Sequence, residues 1–207
     1  LAPDIPYVIR SDYGVALGKT LTILPGTVIK GSNNGAVSVS GTLVAEGTAL
    51  SKIIFTSLND DDCGIAGGCG DTNGTTTPPA AGDWRGLSFD AHSASSSLKF
   101  ASVRYAGTKN SLSTEFGGVI AVTASVRIAD STIEKNYVAG VWLDHSASTT
   151  IINTIIQDHQ APVLPEQAFG IAAFSSSPFI QNSKFKNNRI HIFPNTGYTD
   201  GGGNMFE

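Results

Sequence analysis

The chain has little charge, few aromatic residues and almost no helical patterning. Only 13 Lys and Arg and 17 Asp and Glu occur among 207 residues, for a net charge of −4. With no basic cluster there is no electrostatic footprint for a phosphate backbone, so nucleic acid and anionic membrane surfaces are excluded as expected partners. No run of eighteen apolar residues exists, so no segment is long enough to span a bilayer as a helix. Apolar residues do not recur at 3.6-residue spacing, which argues against an amphipathic helical bundle. The chain starts at Leu1 without a basic and apolar leader, which reads as a mature or excised segment of something longer. What remains is 23 glycines and a Ser/Thr-rich background, the composition of many short strands and tight turns.

Those strands repeat. Leu21-Thr-Ile23, Val37-Ser-Val39 and Ile53-Ile-Phe55 are apolar, any, apolar triplets that begin sixteen residues apart, and they predict successive coils. Val103, Ile133, Ile155 and Phe185 continue the series in SVR, STIEKN, NTIIQD and SKFKNN. Three residues after the last three come Asn136, Asp158 and Asn188, a polar position in register with the apolar one. A second series joins Gly to an aliphatic: Gly86-Leu87, Gly118-Val119, Gly140-Val141 and Gly170-Ile171. Self-similarity at roughly 20 to 30 residues with strand-like elements only predicts a solenoid. Its inward residues would stack as apolar ladders, with Asn136, Asp158 and Asn188 forming a polar ladder at the adjoining turn. One domain over residues 1–207 is expected, with an acidic Gly-rich insertion at 59–83 and a flexible Gly-rich tail at 194–207. Tyr7, Val8 and Ile9 are expected to form a partial first coil, and self-association through the solenoid ends is expected from their unpaired edges.

TLTILPGTVIK, GTLVAEGT, KIIFTS, the acidic DTNG segment, GDWRGLSF, VRYAG and STIEKNYVAGV, in that order, resemble right-handed parallel β-helix modules of bacterial secreted and surface proteins. The likeness covers roughly Tyr7 to Phe193 and is to the non-catalytic relatives of the pectate-lyase-like superfamily. It implies an all-β, right-handed, single-stranded parallel β-helix, an extracellular location, secreted or at the cell surface, and a carbohydrate-rich setting. It implies no reaction.

Three long loops, Asn59 to Asp83, Ala106 to Gly117 and His159 to Ala168, each precede a Gly-aliphatic strand, so all three are expected at one corner of the coil. Binding chemistry on repeat proteins concentrates on such edges. In the first loop Asp60, Asp61, Asp62, Asp71, Asn73 and Asp83 supply oxygen ligands of the kind a six- to eight-coordinate Ca²⁺ takes, without Lys or Arg inside the loop to balance them. The spacing is not that of an EF-hand, and a solvated acidic loop held by its cysteines is the other reading. Cys63 and Cys69 are expected to close a small disulfide in an exported protein, two free thiols being the alternative; zinc lacks further ligands nearby. Trp142 sits between inward Val141 and Leu143 and is expected to face outward, where an indole either stacks on a sugar ring or a partner surface or lies under a neighbouring loop such as Ala106 to Gly117. Tyr137 and Tyr105 flank the same corner, and Trp84 is expected to plug the base of the acidic loop.

Enzymes on such scaffolds need convergent carboxylates, or a carboxylate with a basic residue. The candidates are Asp90 with His92, Asp144 with His145, and Asp158 with His159. GLSFDAHSAS and GVWLDHSAS align, which places Asp90 and Asp144 in one column two coils apart, about 10 Å, with Val122 or Thr123 between them. Satisfying turn amides accounts for such aspartates without catalysis. The expectation is a non-enzymatic structural or adhesive module that binds glycan or a surface protein, the alternative being a polysaccharide lyase or glycoside hydrolase on the same scaffold.

Overall fold

The computed structural model describes residues 1–93, 95–107, 117–145, 147–161, 167–194 and 197–207. Its strands are parallel throughout and fall into three sheets of eight, seven and seven. Sheet one holds Tyr7–Ile9, Val28–Gly31, Ile53–Ser57, Ala101–Arg104, Thr132–Glu134, Ile155–Gln157, Lys184–Lys186 and Met205–Phe206, in that order. Sheet two runs from Asp12–Val15 to Ile190–Phe193 and sheet three from Thr20–Ile23 to Thr199–Asp200. The chain visits sheets one, two and three in turn, so each coil supplies one strand to each, and the architecture is a right-handed parallel β-helix.

The alternating triplets dictate this arrangement. Successive side chains on a strand point to opposite faces, so every second residue enters the coil. Ile29, Phe55, Val103, Ile133, Ile156 and Phe185 stack as one inward column of sheet one. Val37, Leu87, Val119, Val141, Ile171 and Ile192 do the same in sheet two, and Ala45, Leu98, Ile128, Ile151 and Ile180 in sheet three. They make one continuous buried cluster. Each large apolar side chain there contributes roughly 1.5 to 3 kcal/mol by leaving water. The Gly-aliphatic register is as expected.

Two details of the repeat differ from the expectation. Leu21, Val37 and Ile53 belong to three different sheets, so the sixteen-residue beat steps two strands along the coil rather than one full turn. The full turn is seen in Leu21 opposite Leu43. The second difference is a one-residue slip: Ile156, not Ile155, stands between Ile133 and Phe185, and Ile155 is 39% exposed. The polar ladder slips with it to Asn136, His159 and Asn188. Ala106 N–H donates to Asn136 Oδ1 at 2.8 Å, Asn136 N–H to His159 Nδ1 at 3.2 Å, and His159 N–H to Asn188 Oδ1 at 3.4 Å. Asn136 and Asn188 also donate to the carbonyls of Val103 and Ile156 in the preceding coil. Asp158 instead occupies the left-handed corner column with Tyr105, Lys135 and Asn187, and accepts from Asn187 Nδ2 at 2.8 Å.

Residues Thr199 to Phe206 form strands of sheets three and one, so the expected flexible tail is the last coil. Gly202 and Gly203 turn the chain between those strands with positive φ, and a side chain on Gly201 would strike the Phe179 ring. Phe206 stacks on Phe185 with ring centroids 5.1 Å apart. The expected first strand, Tyr7–Ile9, pairs with Val28–Gly31.

Candidate functional site

All three long connections run from sheet one to sheet two, the shared corner that the spacing predicts. Residues 108–116 and 162–166 of the second and third loops lie outside the described residues. The first loop is described throughout, and it folds back over the outer face of sheet one. Cys63 and Cys69 are joined in a disulfide that packs on Val28 and Ile54, two outward side chains of that sheet. At the far end of the loop Trp84 is fully buried; its indole lies against Gly31 and its Nε1 donates to the Arg104 carbonyl at 2.9 Å. Any side chain at Gly31 would sit 2.7 Å from the Trp84 ring. Trp84 therefore plugs the base of the loop and offers nothing to a ligand.

Between these anchors a charged layer is buried. The outward column of sheet one aligns Lys30 with Thr56, Arg104 with Glu134, and Glu134 with Gln157. Lys30, its side chain fully buried, donates to Asp61 Oδ1 at 3.2 Å and to the Gly70 carbonyl. Arg104 Nε lies 3.4 Å from Asp60 Oδ2 and 3.6 Å from Glu134 Oε1, and Nη2 donates to the Tyr105 hydroxyl at 3.1 Å. Burial works against the Arg104 cation, but the Tyr105 hydroxyl, Asp60 and Glu134 outweigh it and hold the guanidinium above its ordinary pKa. Gln157 Nε2 donates to Glu134 Oε2 at 2.8 Å and continues the layer into the next coil.

This layer changes the reading of the acidic loop. Asp60 faces Arg104 and accepts from the Thr56 hydroxyl and from Cys63 N–H, while Asp61 faces Lys30. Asp71 accepts from the Asn73 and Gly74 amides, which hold it below its ordinary pKa. Asn73 donates to Asn59 Oδ1 at 2.8 Å, and Asp83 Oδ2 accepts from Ser57, Asn59 and the Ala80 amide. Asp62 lies at the surface. Five of the six expected calcium ligands thus have partners within the chain, and no three His, Cys, Asp or Glu side chains among the described residues gather as a metal shell. The balancing cations come from other coils, 31 and 44 residues away from their partners, which the loop alone cannot show.

An open cleft of about 370 Å³ lies beside this layer, lined by Asp61, Asp62, Thr77, Pro78, Tyr105 and Lys135 among others. Tyr105 is partly exposed there, with the Arg104 guanidinium 4.9 Å and the Lys135 ammonium 5.8 Å from its ring centre. Of the four aromatics expected to bind, it alone lines this cleft. Trp142 does point out of the coil, but it is only 9% exposed, because Ile120, Ala172 and Phe174 build a second apolar cluster over sheet two. The Trp142 and Phe174 rings lie 4.7 Å apart. Tyr137, 7% exposed, belongs to the same cluster.

Asp90 and Asp144 share the predicted column: Val122 pairs with Asp144, and Phe89 pairs with Ala121 one step earlier. Each is tied to its own turn. Asp90 accepts from the Ser40 hydroxyl and from His92 N–H; these bonds overcome its partial burial and hold it below its ordinary pKa. Asp144 accepts from His145 N–H at 2.8 Å and lies 3.1 Å from His145 Nδ1. The third pair separates, Asp158 going to the surface corner column and His159 to the buried ladder. Burial pushes the His159 pKa from 6.5 to about 3. The expected sites did not include Lys30, Arg104, Glu134 or the hydroxyls of Ser131 and Ser183, which accept from the Ala101 and Thr154 amides at strand starts of sheet one. The two serines had a signal, each standing directly before a strand of that sheet.

Residues 1–127 match the family model described as a pectate-lyase-like β-helix domain, and residues 86–205 match that of a right-handed β-helix region. The chain belongs to this family of right-handed β-helix domains. No curated protein and no solved structure matches it.

Proposed function

We propose that this domain is a non-catalytic structural and adhesive module of an exported bacterial surface protein. The observation that carries this reading is the engagement of its candidate acids and bases. Asp90 and Asp144 are two coils apart with Val122 between them, and each carboxylate accepts from an amide of its own turn, Asp90 also from Ser40 of the preceding coil. Asp60 and Arg104, at the base of the acidic loop, are both buried and bind each other. A general acid or base must reach a substrate atom; Asp60 and Arg104 reach only the loop they hold in place, and the partly exposed Asp90 and Asp144 each stand beside the histidine of their own turn rather than a second carboxylate. The disulfide supports an oxidising, extracellular setting. The cleft at Tyr105 is the contact surface of the module, with a partly exposed ring and flanking Lys135 suited to a glycan or a partner protein.

The decisive experiment incubates the domain with acidic and neutral polysaccharides and follows unsaturated products and new reducing ends. No depolymerisation is expected. Chain cleavage that disappears in Asp144→Ala would replace this reading with a lyase or hydrolase.

A further inference from the structure

Lys30 has an unusual position. Its side chain is completely buried, yet it lies on the outside of the coil. What hides it is the loop segment from Asp61 to Gly70. The Lys30 ammonium is held by Asp61 and by the Gly70 carbonyl, the residues that bracket the Cys63–Cys69 bridge. Cys69 N–H donates to the Asp61 carbonyl at 2.8 Å, so the bridge and this hydrogen bond close the segment into a ring over the lysine. The bridge itself is the apolar contact between the segment and sheet one, through Val28 and Ile54. Between the cysteines Gly64 and Gly67 are exposed and Ile65 is 39% exposed, Gly64 lying against the Arg104 guanidinium.

A buried ammonium persists only while its partners stay in place, so Lys30 and the segment form one two-state element: docked with the ion pair, or lifted with the ammonium hydrated. Firm anchors flank the segment. Asp60 is held by Thr56 and Arg104 on one side, and Trp84 lies against Gly31 on the other. The cysteine contacts form a cluster separate from the inward columns of the coil.

We propose that the Cys63–Cys69 bridge is a redox latch on a cover, and that its reduction bares Lys30 while the coil stays folded. The step is ordinary thiol–disulfide exchange with a dithiol. One reagent thiolate attacks a cysteine Sγ, breaks the Sγ–Sγ bond and releases the other cysteine as thiolate; the second reagent thiolate then attacks the reagent sulfur of the mixed disulfide and releases the first cysteine. Two cysteine thiols form, the reagent leaves as a cyclic disulfide, and two electrons pass from reagent to bridge. Because Asp61 and Asp62 line the Tyr105 cleft, lifting the cover would also reshape that surface. The latch does not depend on the adhesive reading above.

The test is amine acylation followed by peptide mass spectrometry on the folded domain, with the exposed Lys19 and Lys52 as references. In the oxidised protein Lys30 should be the protected lysine. After reduction by a dithiol its labelling rate should rise by about tenfold or more relative to the references, the loss of loop closure having made opening more frequent. The Cys63→Ser, Cys69→Ser double variant should reproduce this without reductant. Continued protection of Lys30 with both thiols shown to be free would overturn the proposal. So would loss of the far-UV sheet signal on reduction, since the bridge would then hold the coil rather than its cover.

Discussion

Sheet one and sheet three present the same kind of interior and opposite exteriors. Inside, both stack aliphatic side chains in register. Outside, sheet one carries Lys30, Arg104 and Glu134 beneath the acidic loop, whereas sheet three carries exposed Thr22 and Arg127 and half-buried Val44, Ser97 and Thr150. The insertions explain the difference. They leave the corner beside sheet one, and charges below them lose water and must find one another, while charges on sheet three keep their hydration. An arginine on one face is therefore a buried structural part, and an arginine on the other is surface.

The sharpest way to break this comparison is to truncate both arginines. Arg104→Ala leaves Asp60 and Glu134 without their cation and should lower the unfolding free energy by about 3 to 5 kcal/mol. Arg127→Ala should change it by less than about 0.5 kcal/mol. Urea titrations of the two variants yield both numbers, and equal losses would mean the two faces do not differ in kind.

The polar ladder supplies the next largest effect. His159 is held neutral in the fold, with its pKa lowered from 6.5 to about 3. Its contribution is complete above the ordinary value and is lost as pH falls, with a slope approaching about 1.4 kcal/mol per pH unit between those limits. His159→Asn puts a carboxamide between Asn136 and Asn188, so thermal melts from pH 7 to 4 should show a shallower decline than in the parent. An unchanged slope would assign the acid sensitivity elsewhere.

Smaller effects come from close packing and from metal. Gly31→Ala drives a methyl group into the Trp84 ring and should cost about 1 to 3 kcal/mol, whereas Gly14→Ala on sheet two meets nothing within 4 Å and should be close to neutral. Excess Ca²⁺ compared with chelator should leave the melting temperature unchanged, because Lys30, Arg104 and turn amides already balance the loop carboxylates. A metal bound only by the folded state would raise it.

The coil was legible because its signals are local. A Gly before an aliphatic or an apolar triplet marks a strand by itself, and the corner that receives the loops follows from their order along the chain. The sixteen-residue beat misled because similar triplets occur on all three sheets, and nothing in the triplet says which. The slip at Ile155 has an equally local cause: NTIIQD offers two adjacent isoleucines, and the first points to Asp158 as the polar partner where the second points to His159. The outer layers were not legible, since they depend on distant pairs. Trp142 is covered by Phe174, and Asp61 is balanced by Lys30 on an earlier strand; neither relation leaves a mark in the residues nearby.

The corner between sheets one and two also shows what is negotiable in this fold. Ser32 to Gly35 cross it in one coil and Lys135 to Val138 in another, four residues each time, while Leu58 to Arg85 cross the same gap in one of the two coils between. The span is fixed by the sheets, and the length of chain that bridges it is not. Each doubling of such a connection adds only about 0.6 kcal/mol of closure entropy. The corner is thus a row of sockets at a pitch of about 4.8 Å, into which inserts of very different length can be fitted without disturbing the shaft that carries them.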